Sequence, residues 1–391
     1  MITVAEVSSA VLSDDSPVVR AMPRPVEHRM PGYEEAFDDR TLICDAFALG
    51  RDIVLSGPPL LNLLDAVRLS KFRLNGVLPL SASLSDLWKT QRSRLTLPGK
   101  SAPWLAARKA LLRVAKPKVT FRFAGRRYSL PIQPNEHERF AGKRILYTLQ
   151  KDNRLEWIQD WIRYYVAVHG IDSVIIYDND SSGYSIEELR AAVAAVDGID
   201  DGVVLSWPFP YGPGAARDDM WDSDFCQYTA LEHMRWRFAA DAAAVINADV
   251  DELIVCDDRR SVFDHLSERT DGALFYRSFW IESVSSRDIE DDRRFDDFIY
   301  RSRNRQVGTP KWTVAPSRLP KESQLCVHSI KNGPKRVFAE GVQHRHFFPM
   351  NTDWKRKRAE VTAIDPDVHF IDEPLVVAMR DAFGGVREPH P

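Results

Sequence analysis

At 391 residues the chain exceeds what one ordinary hydrophobic core holds, so two to three domains are expected. Hydrophobic residues at 44% and charged residues at 28%, with abundant Trp, Tyr and Phe, exclude wholesale disorder. A formal charge of −3 argues against a dedicated nucleic-acid binder, which carries a strongly basic face.

Cys44, Cys226, Cys256 and Cys326 lie far apart and in no metal-ligand spacing, which reads as reduced thiols in a cytoplasmic compartment. The N-terminus lacks the basic and apolar regions of a signal peptide, and no window approaches the roughly 20 apolar residues of a membrane span. Any membrane contact is therefore expected to be peripheral, at the inner face.

Residues 1–38 contain Met22-Pro23-Arg24-Pro25 and Met30-Pro31-Gly32-Tyr33 with no sustained period, predicting an irregular leader. Residues 39–140 predict a β-rich accessory domain. Short strands are expected at 53–56 and 94–97, and a period-two hairpin at 119–130 about Gly125. Residues 104–116 are basic and amphipathic, a pattern that can lie on an anionic membrane but more commonly covers its own domain with Lys and Arg facing water.

Residues 141–350 alternate strand and helix, the pattern of a mainly parallel sheet with helices on both faces. The first strand is predicted at 144–150. A helix follows with Leu155, Ile158, Trp161, Ile162, Tyr165 and Val168 at helical spacing, Asn153 as its cap and Gly170 as its stop. A second strand at 173–177 runs into the polar loop 178–183. A helix at about 186–196, a third strand at 202–207, a Pro/Gly-rich loop at 208–214 and a helix at about 223–240 come next. The fourth strand ends in Asp249-Val250-Asp251-Glu252, and a helical tail is expected at 351–391.

Those acids are the most informative feature of the chain. Asp commonly caps helices, yet these follow a buried strand directly, and the polar cluster Asp178–Ser182 ends another parallel strand. Both should open on the carboxyl edge of the sheet, where ligands bind in open α/β folds. Two Asp one residue apart can hold a hard divalent cation together with substrate phosphates.

Asp249-Val250-Asp251-Glu252 resembles the DxD motif of glycosyltransferases with the GT-A fold. Lys151-Asp152-Asn153, Glu156-Trp157-Ile158, Gly170-Ile171-Asp172 and Ile176-Tyr177-Asp178-Asn179-Asp180-Ser181 together resemble the opening of family 92 and related family 2 glycosyltransferases. The resemblance covers residues 143–348 and implies a GT-A-like mixed, mainly parallel sheet. Two positions depart from it: Asp152-Asn153 replaces the usual Asn-Glu, and Tyr165 replaces a His, with His169 four residues on.

The resemblance implies a metal-dependent, inverting sugar transfer from a nucleotide-sugar, a UDP-sugar by expectation, to a hydroxyl of a glycan acceptor. Mn²⁺ or Mg²⁺ is the implied cofactor. Asp251 is the expected direct ligand, and Asp249 would reach the metal through water or the ribose. His344 and His346 are candidate third ligands, with His346 favoured. Thr148, Gln150, Lys151, Asp178 and Asn179 would line the nucleotide pocket, and Lys311 would face the diphosphate. The base that takes the acceptor proton is expected to be Glu282, with Trp280 stacking on a sugar ring, or Asp224. Two other readings are a sugar nucleotidyltransferase, although no Gly-rich basic loop follows the first strand, and a non-catalytic carbohydrate-binding protein of the same fold.

Overall fold

The structure, a computed structural model, describes residues 1–97, 116–218, 220–289, 292–350 and 360–387. Residues 104–115 of the basic amphipathic stretch, and the run Lys355–Arg358, lie outside them. The chain forms two compact units, one of Met1–Ala5, Phe140–Trp207 and Ala239–Pro391, the other of Glu6–Arg139 and Pro208–Phe238.

The first unit is a mixed α/β layer around a nine-stranded sheet. Its strands are β1 (Ile2–Ala5), β2 (Arg144–Gln150), β3 (Ser173–Asp178), β4 (Asp201–Ser206), β5 (Ala244–Asn247), β6 (Glu252–Cys256), β7 (Ala273–Ile281), β8 (Gly308–Val314) and β9 (Phe338–Phe347), in spatial order β1-β4-β3-β2-β5-β8-β7-β9-β6. The first five in that order are mutually parallel. β8 runs antiparallel to β5 and β7, β9 runs parallel to β7, and β6 closes the sheet antiparallel to β9.

The inner strands read Val-Ile-Ile-Tyr or Ala-Val-Ile without polar alternation, as strands covered on both faces must. Helices α1 (Leu155–His169), α2 (Ile186–Ala194), α3 (Val262–Ser267) and α4 (Glu373–Phe383) flank the sheet and share one apolar core with it. No helix among the described residues is long and apolar enough to cross a membrane.

Two local expectations need correction. Ile2–Ala5, inside the segment read as irregular, is a strand paired in register with Gly202–Leu205. Asn153 does not cap α1, because Arg154 occupies that position; the Asn153 amide instead donates to Gln150 Oε1 at 3.2 Å. Gly170 does end α1 in the left-handed region at φ 66°, which satisfies the last carbonyls.

The second unit is β-rich. Two four-stranded antiparallel sheets, one built on Asp45–Leu49, Asp52–Ser56, Ser93–Thr96 and Ser81–Ser83 and one on Arg126–Pro131, Lys118–Phe123, Arg73–Leu74 and Leu78–Pro79, share a core of Leu42, Leu55, Leu74, Leu95, Val119 and Phe121. The hairpin about Gly125 lies where the alternation put it. The helix Phe225–Arg237 also belongs to this unit, anchored where Asp45 receives His233 and the Arg237 guanidinium, each at 2.9 Å.

Candidate functional site

β2, β3, β4 and β5 end on one edge of the sheet, and antiparallel β8 and β6 begin there. β5 continues through Ala248, whose N–H still bonds Tyr147 of β2, into a four-residue turn. That turn is closed reciprocally: Glu252 N–H donates to Asp249 O, and Asp249 N–H donates to Glu252 Oε2, each at 3.0 Å. The acids are therefore a structured turn between two strands, and Glu252 is already the first residue of β6.

Register brings the rest in. Glu252 lies opposite His346, and Ile254 opposite His344. On the other side of β9, Ser278 faces His344 and Trp280 faces His346. Lys311 on β8 pairs with Tyr276, next to the end of β5. The result is a cluster of Asp249, Asp251, Glu252, Lys311, His344 and His346 drawn from three segments distant in sequence.

Its charges are mutually compensated. Lys311 Nζ is buried and lies 3.0 Å from Asp249 Oδ2 and 3.1 Å from Glu252 Oε2. Burial works against this ammonium, but Asp249 and Glu252 outweigh it and raise its pKa, so it stays charged. Burial pushes the Glu252 carboxyl up to about 7, with Lys311 pulling against it and Asp249 adding to it. Burial also opposes charge on His346, yet Asp251 and its neighbouring carboxylates prevail and raise its pKa. His344 and His328 move the other way through burial and the nearby cations, His328 to about 4.

The two histidines part company in their contacts. His346 Nε2 meets Asp251 Oδ2 at 3.0 Å, and both side chains reach the surface. His344 is buried, its Nε2 on Thr309 O at 3.2 Å and its Nδ1 3.7 Å from Glu252 Oε1. Among the described residues no group of three or more His, Cys, Asp or Glu is arranged to hold a metal ion. Asp251 and His346 nevertheless suit a six-coordinate cation that keeps water and phosphate oxygens. Adjacent ligands at about 2.1 Å from such an ion stand about 3 Å apart.

Beside this cluster, at the ends of β2 and β3, Gln150 faces Asp178 in register. The Gln150 amide donates to Asp178 Oδ1, the Ser181 hydroxyl donates to the same oxygen at 2.6 Å, and Ser181 N–H donates to Oδ2 at 3.1 Å. Asp178 thus holds its own loop in shape, and burial raises its pKa. Tyr184 adds a hydroxyl to Gln150 Oε1 at 3.0 Å, and the Asn179 amide ties the loop to Trp207 O at 2.8 Å. Lys151 begins the turn after β2. The buried hydroxyls of Thr148 and Ser278 have no hydrogen-bond partner among the described residues.

The expected base candidates arrive paired. Both oxygens of Glu282, one residue beyond β7, meet Arg305, the Nη2–Oε2 distance being 2.6 Å. Asp224 lies in the β-rich unit at the start of the helix Phe225–Arg237, where it pairs with Lys89 at 2.6 Å and makes no capping bond. Trp280 stacks on His346, ring centroids 4.0 Å apart, because their strands place them side by side; the sugar-stacking expectation did not foresee this. Ser278 was missed, and Glu252, singled out with the other acids, was given no role of its own. The signal for Ser278 was present in its period-two spacing with Tyr276 and Trp280, and that for Glu252 in its reach back to Asp249.

No family model and no curated protein matches the chain. Among solved structures, it is similar to the mannosyltransferase Ktr4p from S. cerevisiae in complex with GDP, at 10% identity and a TM-score of 0.24, over 36% of this chain and 40% of that one. The chain thus spans about two fifths of that protein's length, and a superposition so partial carries no argument about function.

Proposed function

We propose that the chain is an inverting glycosyltransferase that moves a sugar from a nucleotide-sugar, UDP-linked in this reading, to a hydroxyl of a glycan. The observation that carries it is the juxtaposition, at the carboxyl edge of a parallel sheet, of the Asp249–Glu252 turn with Lys311 and His346, beside the Gln150–Asp178 pair.

In this reading Asp251 and His346 would hold a divalent cation, whose positive charge would offset that of the departing diphosphate. Asp249, its side chain 41% exposed, reaches outward to the ribose while Lys311 anchors its other side. Lys311 and Glu252 hold the turn in shape, and the Lys311 ammonium offsets part of the carboxylate charge that the phosphates would meet. Thr148, Gln150, Lys151, Asp178 and Asn179 form the nucleotide side. Glu282 is assigned as the acceptor's base because it stands at the same edge, and its Arg305 partner must move aside for it to take the proton.

A second reading has its own observation. Lys311 already stands as a fixed cation between two carboxylates at this edge, which favours a transfer that uses this ammonium in place of a metal. One experiment separates the two. Release of UDP from a panel of UDP-hexoses and UDP-N-acetylhexosamines should require Mn²⁺ or Mg²⁺, stop with EDTA and fall about a hundredfold or more in Asp251→Asn. Turnover that survives both EDTA and Asp251→Asn selects the metal-free reading; absence of UDP release from every donor overturns both.

A further inference from the structure

Between Leu87 and Asn135 the sequence holds twelve Lys and Arg and no Asp or Glu, within a chain whose net charge is −3. Part of that charge is gathered on one surface of the β-rich unit. In the sheet of Arg73–Leu74, Leu78–Pro79, Lys118–Phe123 and Arg126–Pro131, Val119, Phe121 and Leu74 face the core. The alternate positions, Thr120 and Arg122, lie on the sheet's other face, Thr120 covered and Arg122 exposed. Arg127 stands directly opposite Arg122, and Arg73 opposite Thr120.

Like charges opposite one another across two strands are destabilising. No described carboxylate pairs with Lys71, Arg73, Arg122 or Arg127, while Asp15 pairs instead with the neighbouring Arg126. These four cations line one concavity of about 470 Å³. Gly76 forms part of its wall at φ 75°, a left-handed conformation that favours glycine, and the Arg127 guanidinium lies close beside it.

The rim is apolar. Leu69, which also lines the cavity, is 84% exposed, and Val77 at the hairpin tip is 67% exposed, its carbonyl held by the Arg73 guanidinium at 2.8 Å. A site for a soluble polyanion has no use for two bare aliphatic side chains beside it, whereas the boundary of a lipid bilayer accepts both features together. We propose that this face docks on anionic membrane lipids, with headgroup phosphates entering the cavity between Arg73, Arg122 and Arg127 and with Leu69 and Val77 meeting the acyl boundary. The docking does not depend on the transferase reading and stands or falls separately.

Sedimentation of the full-length chain with phosphatidylcholine vesicles, with and without phosphatidylglycerol, tests it. Binding is expected only to the anionic vesicles and should weaken as salt rises. Arg122→Gln with Arg127→Gln should lower the partition about tenfold or more, since each basic residue near such a surface contributes measurably. Leu69→Ser with Val77→Ser should lower vesicle binding and leave retention on heparin unchanged. All four side chains are exposed, and circular dichroism checks that the variants fold. Failure to bind anionic vesicles, or equal binding by the arginine variant, overturns the proposal. Retention on heparin without vesicle binding also overturns it and assigns the face to acidic glycans.

Discussion

Glu252 is held on every side, buried among Lys311, His344 and His346 and bonded back to the turn it follows. Removing the ammonium would strand a carboxylate in the interior. Lys311→Met is therefore expected to cost about 3–5 kcal/mol in urea unfolding, and a cost below about 1 kcal/mol would show that the pair is not held as described. His169 sets a different dependence. Its Nε2–H donates to Ile254 O at 2.9 Å while Nδ1 accepts from Val262 N–H at 3.2 Å, and burial draws its pKa down to about 4, against the backbone bond that raises it. Between that value and the unfolded one near ~6.5 only the unfolded chain binds the proton, so stability rises with pH across the window. Acidifying from neutrality to the bottom of it should remove about 3 kcal/mol through this residue. His169→Gln should flatten that slope, and parallel slopes in the two proteins would exclude the assignment. At this scale the acid turn was legible, because three carboxylates after an apolar strand have few structural uses. Lys311 and His346 were candidates as well, but their contacts with these acids were not legible, since Lys311 lies 62 residues after Asp249 and His346 95 after Asp251 and the pairing depends on register.

Among the elements, β6 illustrates how the site is braced. It is the terminal strand of the sheet, paired only with β9, so its outward carbonyls need other donors. α1 supplies them: Tyr165 OH bonds Glu252 O at 3.0 Å, Tyr164 OH bonds Ile254 O at 2.6 Å, and His169 shares the latter. The positions where this helix departs from the resembled family pattern, Tyr165 and His169, are thus its contacts with the strand that carries Glu252. Tyr165→Phe should cost about 1–3 kcal/mol and raise amide hydrogen exchange over residues 252–256. Unchanged exchange there would mean that the helix does not hold the strand. Helical periodicity was enough to predict α1, whereas β6 went unpredicted because five residues beginning with an acid look like the tail of a loop. Only its pairing with β9 makes it a strand.

For the whole molecule, a ligand that binds the native state alone must raise its stability. UDP with Mn²⁺ at about a hundred times its dissociation constant should add about 2.7 kcal/mol, read as an upward shift in melting temperature that neither component gives alone. An equal shift from UDP without metal would favour the Lys311-centred reading. The α/β class and the parallel core were readable from unbroken apolar strands alternating with amphipathic helices. The membership of Ile2–Ala5 in the main sheet was not, nor was that of Phe225–Arg237 in the β-rich unit. Both attach to partners far along the chain, and no local pattern encodes that distance.

Local chemistry, then, belongs to the sequence alone: apolar period decides strand or helix, Gly170 stops α1, and the acids after Ala248 form a turn. Which side chains meet belongs to the tertiary structure. A pairing such as Glu252 with Lys311, or Trp280 with His346, depends on strand order and register, and a shift of one residue would turn every one of those side chains to the opposite face.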